Sequence, residues 1–135
     1  VLLDKEDSGI CVIDLDTVMP GYIISDWGDM VRTYVCPVSE EESDFSKIYV
    51  RKDYFDAIQE AYLSKLGSLM SEPEKKSLHL SGQILVYMQA LRFMTDFLLN
   101  DEYYGAAYEG HNFIRAGNQM RLLQALQSFD DSTSR

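Results

Sequence analysis

The sequence is poor in the residues that build disulfide-braced or membrane-embedded proteins. It has two cysteines and three prolines in 135 residues, and no apolar run reaches the roughly twenty residues that a transmembrane helix needs. No signal-peptide pattern opens the chain. Cys11 and Cys36 lack Cys-x-x-Cys spacing and the cysteine density of a secreted scaffold. We therefore expect two reduced, mostly buried thiols and a cytoplasmic protein with no membrane partner.

Basic residues are also scarce, since 22 acidic side chains stand against 12 lysines and arginines and give a net charge of −10. A surface of that sign repels phosphate backbones, so no nucleic acid is expected as a partner. It suits a protein that captures cations through clustered carboxylates. Apolar residues are abundant at 46%, enough for one packed core in a chain too short for two comfortable domains.

The first third of the chain predicts a β-hairpin followed by a helix. Apolar runs at 1–3 and 10–13 flank a polar connection, a pattern typical of two antiparallel strands. Ser25 or Asp26 is then the expected N-cap of a helix that ends before Pro37, because proline disfavours helical backbone at the preceding residue.

The remainder of the chain predicts helices. Apolar residues at helical spacing follow Arg51, and Gly67 is a suitable C-cap for that helix. Ser71 and Glu74 predict a capping box at the start of a helix that extends to about Leu99. A polar break separates it from a final helix that begins at "HNFIRAGNQ", and "SEEESD" is expected to be a solvated acidic loop. The predicted fold is mainly α with a short N-terminal antiparallel β-hairpin.

Two acids follow the second apolar run in "CVIDLDT", and they allow two interpretations. Asp14 and Asp16 are either solvated acids that enter a loop or ligands of a hard cation such as magnesium, which takes oxygen ligands from one or two carboxylates and from substrate phosphates. Val12, Ile13 and Leu15 predict burial on both sides of the first acid. Because buried carboxylates need a partner, this context favours the cation site.

The stretch "VIDLDTVMPGYIISDWGDMVRT" resembles the phosphotransferase superfamily of aminoglycoside and choline kinases, and within it the N-acetylhexosamine 1-kinase group. The resemblance implies that Asp14 is the principal ligand of the magnesium on the nucleotide phosphates and that Asp16 is a second or water-mediated ligand. It also implies that Asp26 braces the catalytic loop. Asp29 and Arg32, three residues apart on the same helix, are further candidates for this bracing role. An ordinary surface ion pair between them is the alternative interpretation.

The stretch "ALRFMTDFLLNDEYYGAAYEGHNFIRAGNQ" resembles a second motif of the same group. The resemblance implies that Arg92 and Tyr103 line the sugar pocket, and the guanidinium fork suits sugar hydroxyls and an N-acetyl oxygen. The alternative for Arg92 is a structural ion pair with Asp96, four residues on. For Tyr103 and its neighbour Tyr104 the alternative is plain packing. The His, Asn and Arg of "HNFIR" are expected to form a hydrogen-bonded brace rather than a metal site.

The family's catalytic loop and nucleotide-binding lobe have no match in the 135 residues, and the resemblance places both before Val1. We therefore expect residues 1–135 to be the C-terminal lobe of a protein-kinase-like fold, with a hairpin at 1–16 that ends in the metal-binding Asp and a helical substrate subdomain at 25–130. The parent would use ATP, magnesium and a small sugar, and this piece alone would be inactive. Homoserine, choline or an aminoglycoside as acceptor, or a non-catalytic helical interaction module, are the alternatives. An apolar patch near the first strand predicts self-association of the piece.

Overall fold

The computed structural model describes residues 2–6, 8–16 and 18–133, and in that part of the chain the predicted mainly helical fold with an N-terminal β-hairpin is confirmed. Strands β1 (Leu2–Leu3) and β2 (Gly9–Cys11) come first, and a 3-10 helix at Phe45–Lys47 lies between the first two α-helices. The four described helices are α1 (Ile23–Tyr34), α2 (Lys52–Leu66), α3 (Glu72–Leu98) and α4 (His111–Thr133).

The hairpin is held by strand pairing and by one aspartate in its turn. β1 and β2 run antiparallel, with Leu2 opposite Cys11. The Asp4 carboxylate accepts hydrogen bonds from the backbone N–H groups of Glu6 at 2.8 Å and Ser8 at 2.9 Å. An aspartate that binds the backbone of its own turn favours the turn over other local structure, so the polar connection folds as the sequence predicts.

The strands are shorter than the apolar runs that predict them. β2 ends at Cys11, so Val12 and Ile13 lie in irregular structure, and Val1 lies outside the described residues. Every residue of the two strands is exposed. The expectation of a buried thiol is therefore wrong for Cys11, whereas Cys36 is half-buried, and both thiols are free.

Helix α1 begins earlier than its predicted cap. Tyr22 occupies the N-cap position with extended backbone and no side-chain cap bond, so the expectation that Ser25 or Asp26 caps the helix is wrong. Ile23 packs against the core, and this tertiary contact extends the helix toward the N-terminus. The helix ends before Pro37 as predicted.

Helices α2 and α3 carry the end signals that the sequence predicts. The Gly67 N–H donates to the Leu63 carbonyl at 2.9 Å and closes the end of α2. The glycine has φ −58°, so no left-handed turn requires it here. It allows the backbone to lie close to Leu63, because a Cβ at position 67 would lie 2.5 Å from the Leu63 carbonyl oxygen. At the start of α3, the capping box of Ser71 and Glu74 is confirmed. The Ser71 hydroxyl and N–H bind the ionised Glu74 carboxylate and lower its pKa.

The core forms where α1 crosses α3, with α4 packed along α3. A Cβ added at Gly28 would lie 2.6 Å from the Ser81 carbonyl oxygen, and one added at Gly82 would lie 2.7 Å from a methyl of Val31. Glycine at both positions therefore lets the two helices approach closely. Trp27 lies at the centre of the core and donates its indole N–H to a main-chain carbonyl of α3 at 2.8 Å.

Apolar side chains remain exposed in the segment that precedes α1. The exposed large apolar residues there are Leu2, Leu3, Ile10, Val12, Ile13, Leu15, Val18, Met19 and Tyr22. Exposed apolar side chains near the first strand agree with the expected apolar patch, and self-association through them stays a prediction. None of the described helices has the length and apolarity needed to cross a membrane.

Candidate functional site

Asp14 and Asp16 lie in the irregular segment after β2, and both side chains are exposed. Val12, Ile13 and Leu15 are exposed as well, so the predicted burial on both sides of Asp14 is wrong. Asp14 nevertheless has φ 63°, a left-handed conformation that is uncommon for a residue with a Cβ. Aspartate tolerates this conformation better than most residues with a side chain, and Asn100 and Asp101 adopt it too, so the angle alone does not mark a metal site.

The donor set of this segment fits magnesium only in combination with a phosphate ligand. Within residues 2–6, 8–16 and 18–133, no group of three or more His, Cys, Asp and Glu side chains is placed to hold a metal ion. Magnesium commonly keeps several waters and takes one or two carboxylates plus the phosphates of a substrate. Asp14 and Asp16 could supply that contribution, so their role as metal ligands stays a prediction.

The two aspartates of α1 that the sequence singles out, Asp26 and Asp29, have different neighbours. Asp29 accepts from Arg32 Nε at 3.0 Å, which confirms the surface ion pair, and Arg32 Nη1 also binds Glu40 at 3.1 Å. Asp26 is exposed in the first turn of the helix. Burial raises the pKa of Tyr62, and the negative charge of Asp26 raises it further. The bracing of a catalytic loop by Asp26 stays a prediction.

A cavity of about 410 Å³ lies at the C-terminal end of α3, a size within the range of small-molecule sites. Its lining residues are Leu91, Arg92, Thr95, Asp96, Leu99, Tyr103 and Tyr104. The two predicted substrate contacts, Arg92 and Tyr103, are thus brought together in one cavity. Asp14 and Asp16 are not among its lining residues.

Arg92 is exposed and does not bind Asp96, so the alternative interpretation, a structural ion pair, is wrong. Its Nη1 lies 3.4 Å from the Gln89 amide oxygen, and its guanidinium carbon lies 5.8 Å from the Tyr103 ring centroid and 5.4 Å from that of Tyr104. These distances place the cation beside two aromatic faces at the mouth of the cavity. Most of the guanidinium donors remain available to a ligand.

Asp96 is a buried acid, with 4% of its surface exposed, and it organises the cavity from inside. Its carboxylate accepts the backbone N–H groups of Tyr103 at 2.8 Å and Tyr104 at 2.9 Å, together with a side-chain N–H of Asn112 at 3.1 Å. Hydrogen bonds to a charged acceptor compensate for its burial. Asp96 therefore fixes the tyrosine backbone, and both of its oxygens are already occupied.

The break after α3 begins with a Schellman motif, in which the last turn of a helix is closed by two reversed hydrogen bonds. Asp101 N–H donates to the Asp96 carbonyl at 2.8 Å, and Asn100 N–H donates to the Phe97 carbonyl at 3.2 Å. Asn100 and Asp101 have φ 62° and 60°, left-handed values that Asn and Asp tolerate better than other residues with a side chain. This turn directs the chain back toward α3 and presents Tyr103.

The predicted brace at the start of α4 is confirmed. The Asn112 amide nitrogen lies within hydrogen-bond distance of Asp96, Asp101 and a main-chain carbonyl of the break. Arg115 donates to the Asn112 amide oxygen at 3.0 Å, and His111 Nδ1 accepts a backbone N–H of the break at 3.2 Å. These residues hold the break against α4, and none of them forms part of a metal cluster in the described chain.

Arg115 connects the aromatic cluster behind the cavity to the loop after α1. Its guanidinium carbon lies 3.8 Å from the ring centroid of Phe93, which packs against Tyr104 with centroids 4.9 Å apart. Arg115 also forms an ion pair with Glu40. Because Glu40 in turn binds Arg32, one chain of polar contacts runs from α1 to the wall of the cavity.

The expectation that "SEEESD" is a solvated loop is wrong for its first acid and right for its last. Glu40 is half-buried between two arginines, whereas Asp44 is exposed. Glu42 has a lowered pKa because the Asp44 backbone N–H and the Lys47 ammonium bind its carboxylate. Asn118 fixes the loop, since its amide donates to main-chain carbonyls of residues 39 and 42.

No model of a known protein family matches this chain. What the site can do chemically is given by its side chains. The cavity offers a guanidinium for hydroxyl and carbonyl oxygens, exposed tyrosine rings for stacking, and the apolar surfaces of Leu91 and Leu99. The acid in its wall, Asp96, is bound on both oxygens by N–H donors. The described lining thus suits binding and orientation of a small polar molecule.

Proposed function

We propose that this chain is the C-terminal helical lobe of an ATP- and magnesium-dependent kinase that phosphorylates the anomeric hydroxyl of an N-acetylhexosamine. The observation that carries the proposal is the cavity of about 410 Å³ in which Arg92 and Tyr103 lie together. The two residues come from different segments, α3 and the break after it. The family resemblance assigns both to the sugar pocket, and they share a cavity of suitable size and chemistry.

The chemistry of the cavity suits an N-acetylated sugar. Tyr103 has 76% of its surface exposed, so its ring is free to stack on the apolar face of a sugar ring. Arg92 has guanidinium donors to spare for hydroxyl groups and for an acetyl oxygen. Leu91 and Leu99 provide apolar surface for an acetyl methyl group. Each part of an N-acetylhexosamine thus has a matching group in the lining.

The nucleotide side of the proposal rests on Asp14 and Asp16. These acids would hold magnesium on the phosphates of ATP, and magnesium neutralises charge that develops during phosphoryl transfer. The catalytic base and the phosphate-anchoring lysine would come from polypeptide outside the 135 residues, so we expect no turnover by this chain alone. The exposed apolar side chains of residues 2–22 support this arrangement, since they offer a surface on which a second lobe can pack.

A non-catalytic helical interaction module is the second candidate. The observation that favours it is an exposed apolar stripe on α3, whose members recur at intervals of three or four residues except for one seven-residue step: Leu80, Ile84, Tyr87, Leu91 and Leu98. A stripe with this spacing is the pattern of a helix that packs against another helix. The stripe shares Leu91 with the cavity lining, so a partner helix and a sugar would compete.

Ligand binding to the 135-residue chain tests the proposal. Saturation-transfer NMR with GlcNAc and GalNAc should show binding, and choline, homoserine and an aminoglycoside should compete poorly. Arg92→Ala and Tyr103→Ala should each abolish the sugar signal. Tyr87→Ala on the exposed face of α3 is the matched control and should leave it unchanged. Absence of hexosamine binding, or binding that survives both cavity substitutions, would refute the sugar site, and turnover by the chain alone would refute the assignment of the base to another segment.

A further inference from the structure

The apolar stripe of α3 is more regular than its exposed members alone indicate. Met94 is half-buried and lies in the seven-residue step between Leu91 and Leu98. With it, the stripe has six members at alternating steps of four and three residues: Leu80, Ile84, Tyr87, Leu91, Met94 and Leu98. This alternation is the pattern of a helix–helix seam in a coiled coil. At a rise of about 1.5 Å per residue, the stripe extends for roughly 27 Å.

The neighbours of α3 pack against other faces of the helix in the part of the chain that the structure describes. Gly82 meets Val31 of α1, and Phe93 meets Arg115 of α4. Residues 77–98 contain no lysine and no glutamate that could cover the stripe with a charged side chain. A contiguous apolar surface of this length on a folded chain marks an interaction site.

Two charges of opposite sign lie beyond the two ends of the stripe at equal distances. Lys76 precedes Leu80 by four residues, and Glu102 follows Leu98 by four residues. Both residues are exposed, and neither forms an ion pair with a described residue. Lys76 lies roughly 33 Å from the end of α3, so the two charges cannot meet within one chain.

A second copy of α3 in antiparallel orientation matches both the stripe and the charges. With a two-fold axis beside Gln89, Leu80 lies opposite Leu98 of the partner subunit. The same axis places Lys76 opposite the partner's Glu102. A parallel pair would place lysine against lysine and glutamate against glutamate, so charge complementarity selects the antiparallel arrangement. The two-fold axis forms each contact twice and closes the assembly at two copies.

We propose that two copies of this chain pair through the apolar stripe of α3 in this antiparallel register, with an ion pair between Lys76 and the partner's Glu102 at each end. One helix from each copy forms a smaller contact than a standard interface, so we expect a dissociation constant of roughly 10–100 μM. Each copy has a net charge of −10, but the Debye length of about 8 Å at physiological ionic strength screens the charges that lie away from the contact.

The dimer does not depend on either proposed function. Sugar binding can be measured below the dissociation constant, on the monomer, so each proposal can fail without the other.

Sedimentation equilibrium of the 135-residue chain, from low micromolar to millimolar concentration, tests the proposal. The data should fit a monomer–dimer equilibrium. Lys76→Glu and Glu102→Lys should each weaken the dimer about tenfold, because each substitution turns both attractive pairs into repulsive ones. The double variant should regain the dissociation constant of the parent. An equimolar mixture of the two single variants should also regain it, since one copy then supplies two acidic ends and the other two basic ends.

Glu102→Lys separates the proposed register from general repulsion between acidic chains. This substitution reduces the negative charge of the chain, so general repulsion predicts a stronger dimer, whereas the register predicts a weaker one. Lys65→Glu makes the same charge reversal as Lys76→Glu at an exposed position on α2. It is the matched control and should weaken the dimer much less.

Apolar substitutions locate the contact on α3. Leu98→Ser should weaken the dimer at least about tenfold, because a leucine loses its burial in both copies. Leu3→Ser, at an exposed position of β1, should leave the dimer unchanged. A chain that stays monomeric at millimolar concentration, a double charge variant as weak as the single ones, or a dimer that Leu3→Ser abolishes would each overturn the proposal. If circular dichroism shows that Leu98→Ser is unfolded, the charge variants decide, since both of their positions are exposed.

Discussion

Asn112 donates a side-chain N–H to the buried Asp96 carboxylate at 3.1 Å and so joins the start of α4 to the last turn of α3. The same amide nitrogen lies 2.8 Å from an Asp101 carboxylate oxygen and 2.9 Å from the Gly105 carbonyl. Two N–H bonds are thus shared among three acceptors. The Asn112 side chain therefore connects α4 both to α3 and to the break between the helices. Tyr103 belongs to that break.

Replacement of Asn112 by Ala should lower the free energy of unfolding by about 2 kcal/mol, because a buried carboxylate loses one of its donors. Urea denaturation measures the change, and the midpoint should shift without a change in the slope. Gln124→Ala, at an exposed position on the same helix, should shift the midpoint much less. Equal effects of the two substitutions would show that Asn112 does not hold the break.

Removal of the Arg92 side chain should leave stability nearly unchanged. Arg92 is exposed and its one hydrogen bond, to Gln89, is long at 3.4 Å, so Arg92→Ala should change the free energy of unfolding by less than about 0.5 kcal/mol. Asp96→Ala should destabilise the chain far more, since two backbone N–H groups lose their acceptor. Thermal denaturation of both variants tests this. Comparable losses of stability in the two variants would indicate that Arg92 and Asp96 interact.

The helix ends were predictable because their signals are local. The capping box of Ser71 and Glu74 and the glycine at 67 lie within one turn of the ends that they mark, and the structure has them there. The predicted start of α1 was wrong. Ile23 extends the helix through a contact with the core, and the neighbouring residues carry no signal of that contact. Tertiary packing overrides a local cap preference in this case.

The partners of the charged residues were less predictable, because spacing along a helix does not decide which way a side chain turns. Arg92 and Asp96 have the spacing of an ion pair, but the break after α3 supplies Asp96 with N–H donors that the sequence does not reveal. Glu40 binds Arg115, which lies 75 positions away in the sequence. Because Glu40 belongs to a run of acidic residues, the sequence contains no indication of this ion pair. The aromatic-rich "NDEYYGAAYEG" was the available signal that the break lines a cavity.

Glu40→Gln should loosen the connection between α1 and α4. The substitution keeps the size of the side chain but removes the charge that Arg32 and Arg115 share, and a partly buried arginine that loses its partner is destabilising by about 1–3 kcal/mol. Chemical denaturation should show that loss for Glu40→Gln, while Glu41→Gln, at an exposed neighbouring position, should be nearly neutral. A neutral Glu40→Gln would mean that the two ion pairs contribute nothing measurable.

The capping box predicts a defined loss of stability at low pH. Ser71→Ala should cost about 1 kcal/mol through the lost N-cap. The bonds to Ser71 lower the pKa of Glu74 in the folded state. The ionised carboxylate therefore stabilises the fold above the usual glutamate pKa of about 4.5, and this stabilisation is lost as pH falls through the lower folded pKa. Glu74→Gln should therefore flatten the acid limb of a stability–pH profile, and an unchanged limb would contradict the assignment.

The raised pKa of Tyr62 predicts a loss of folding stability at high pH. Burial raises its pKa above the usual value of about 10, and the charge of Asp26 adds to that shift. The folded state therefore holds the phenolic proton more tightly than the unfolded state, and stability falls as pH rises above about 10. Tyr62→Phe should lose less stability than the parent between neutral and alkaline pH, measured by urea denaturation. Asp26→Asn should reduce the loss in part, because burial remains, and Asp29→Asn, one turn further along α1, should not. A Tyr62→Phe profile parallel to that of the parent would show that this phenol does not titrate with unfolding.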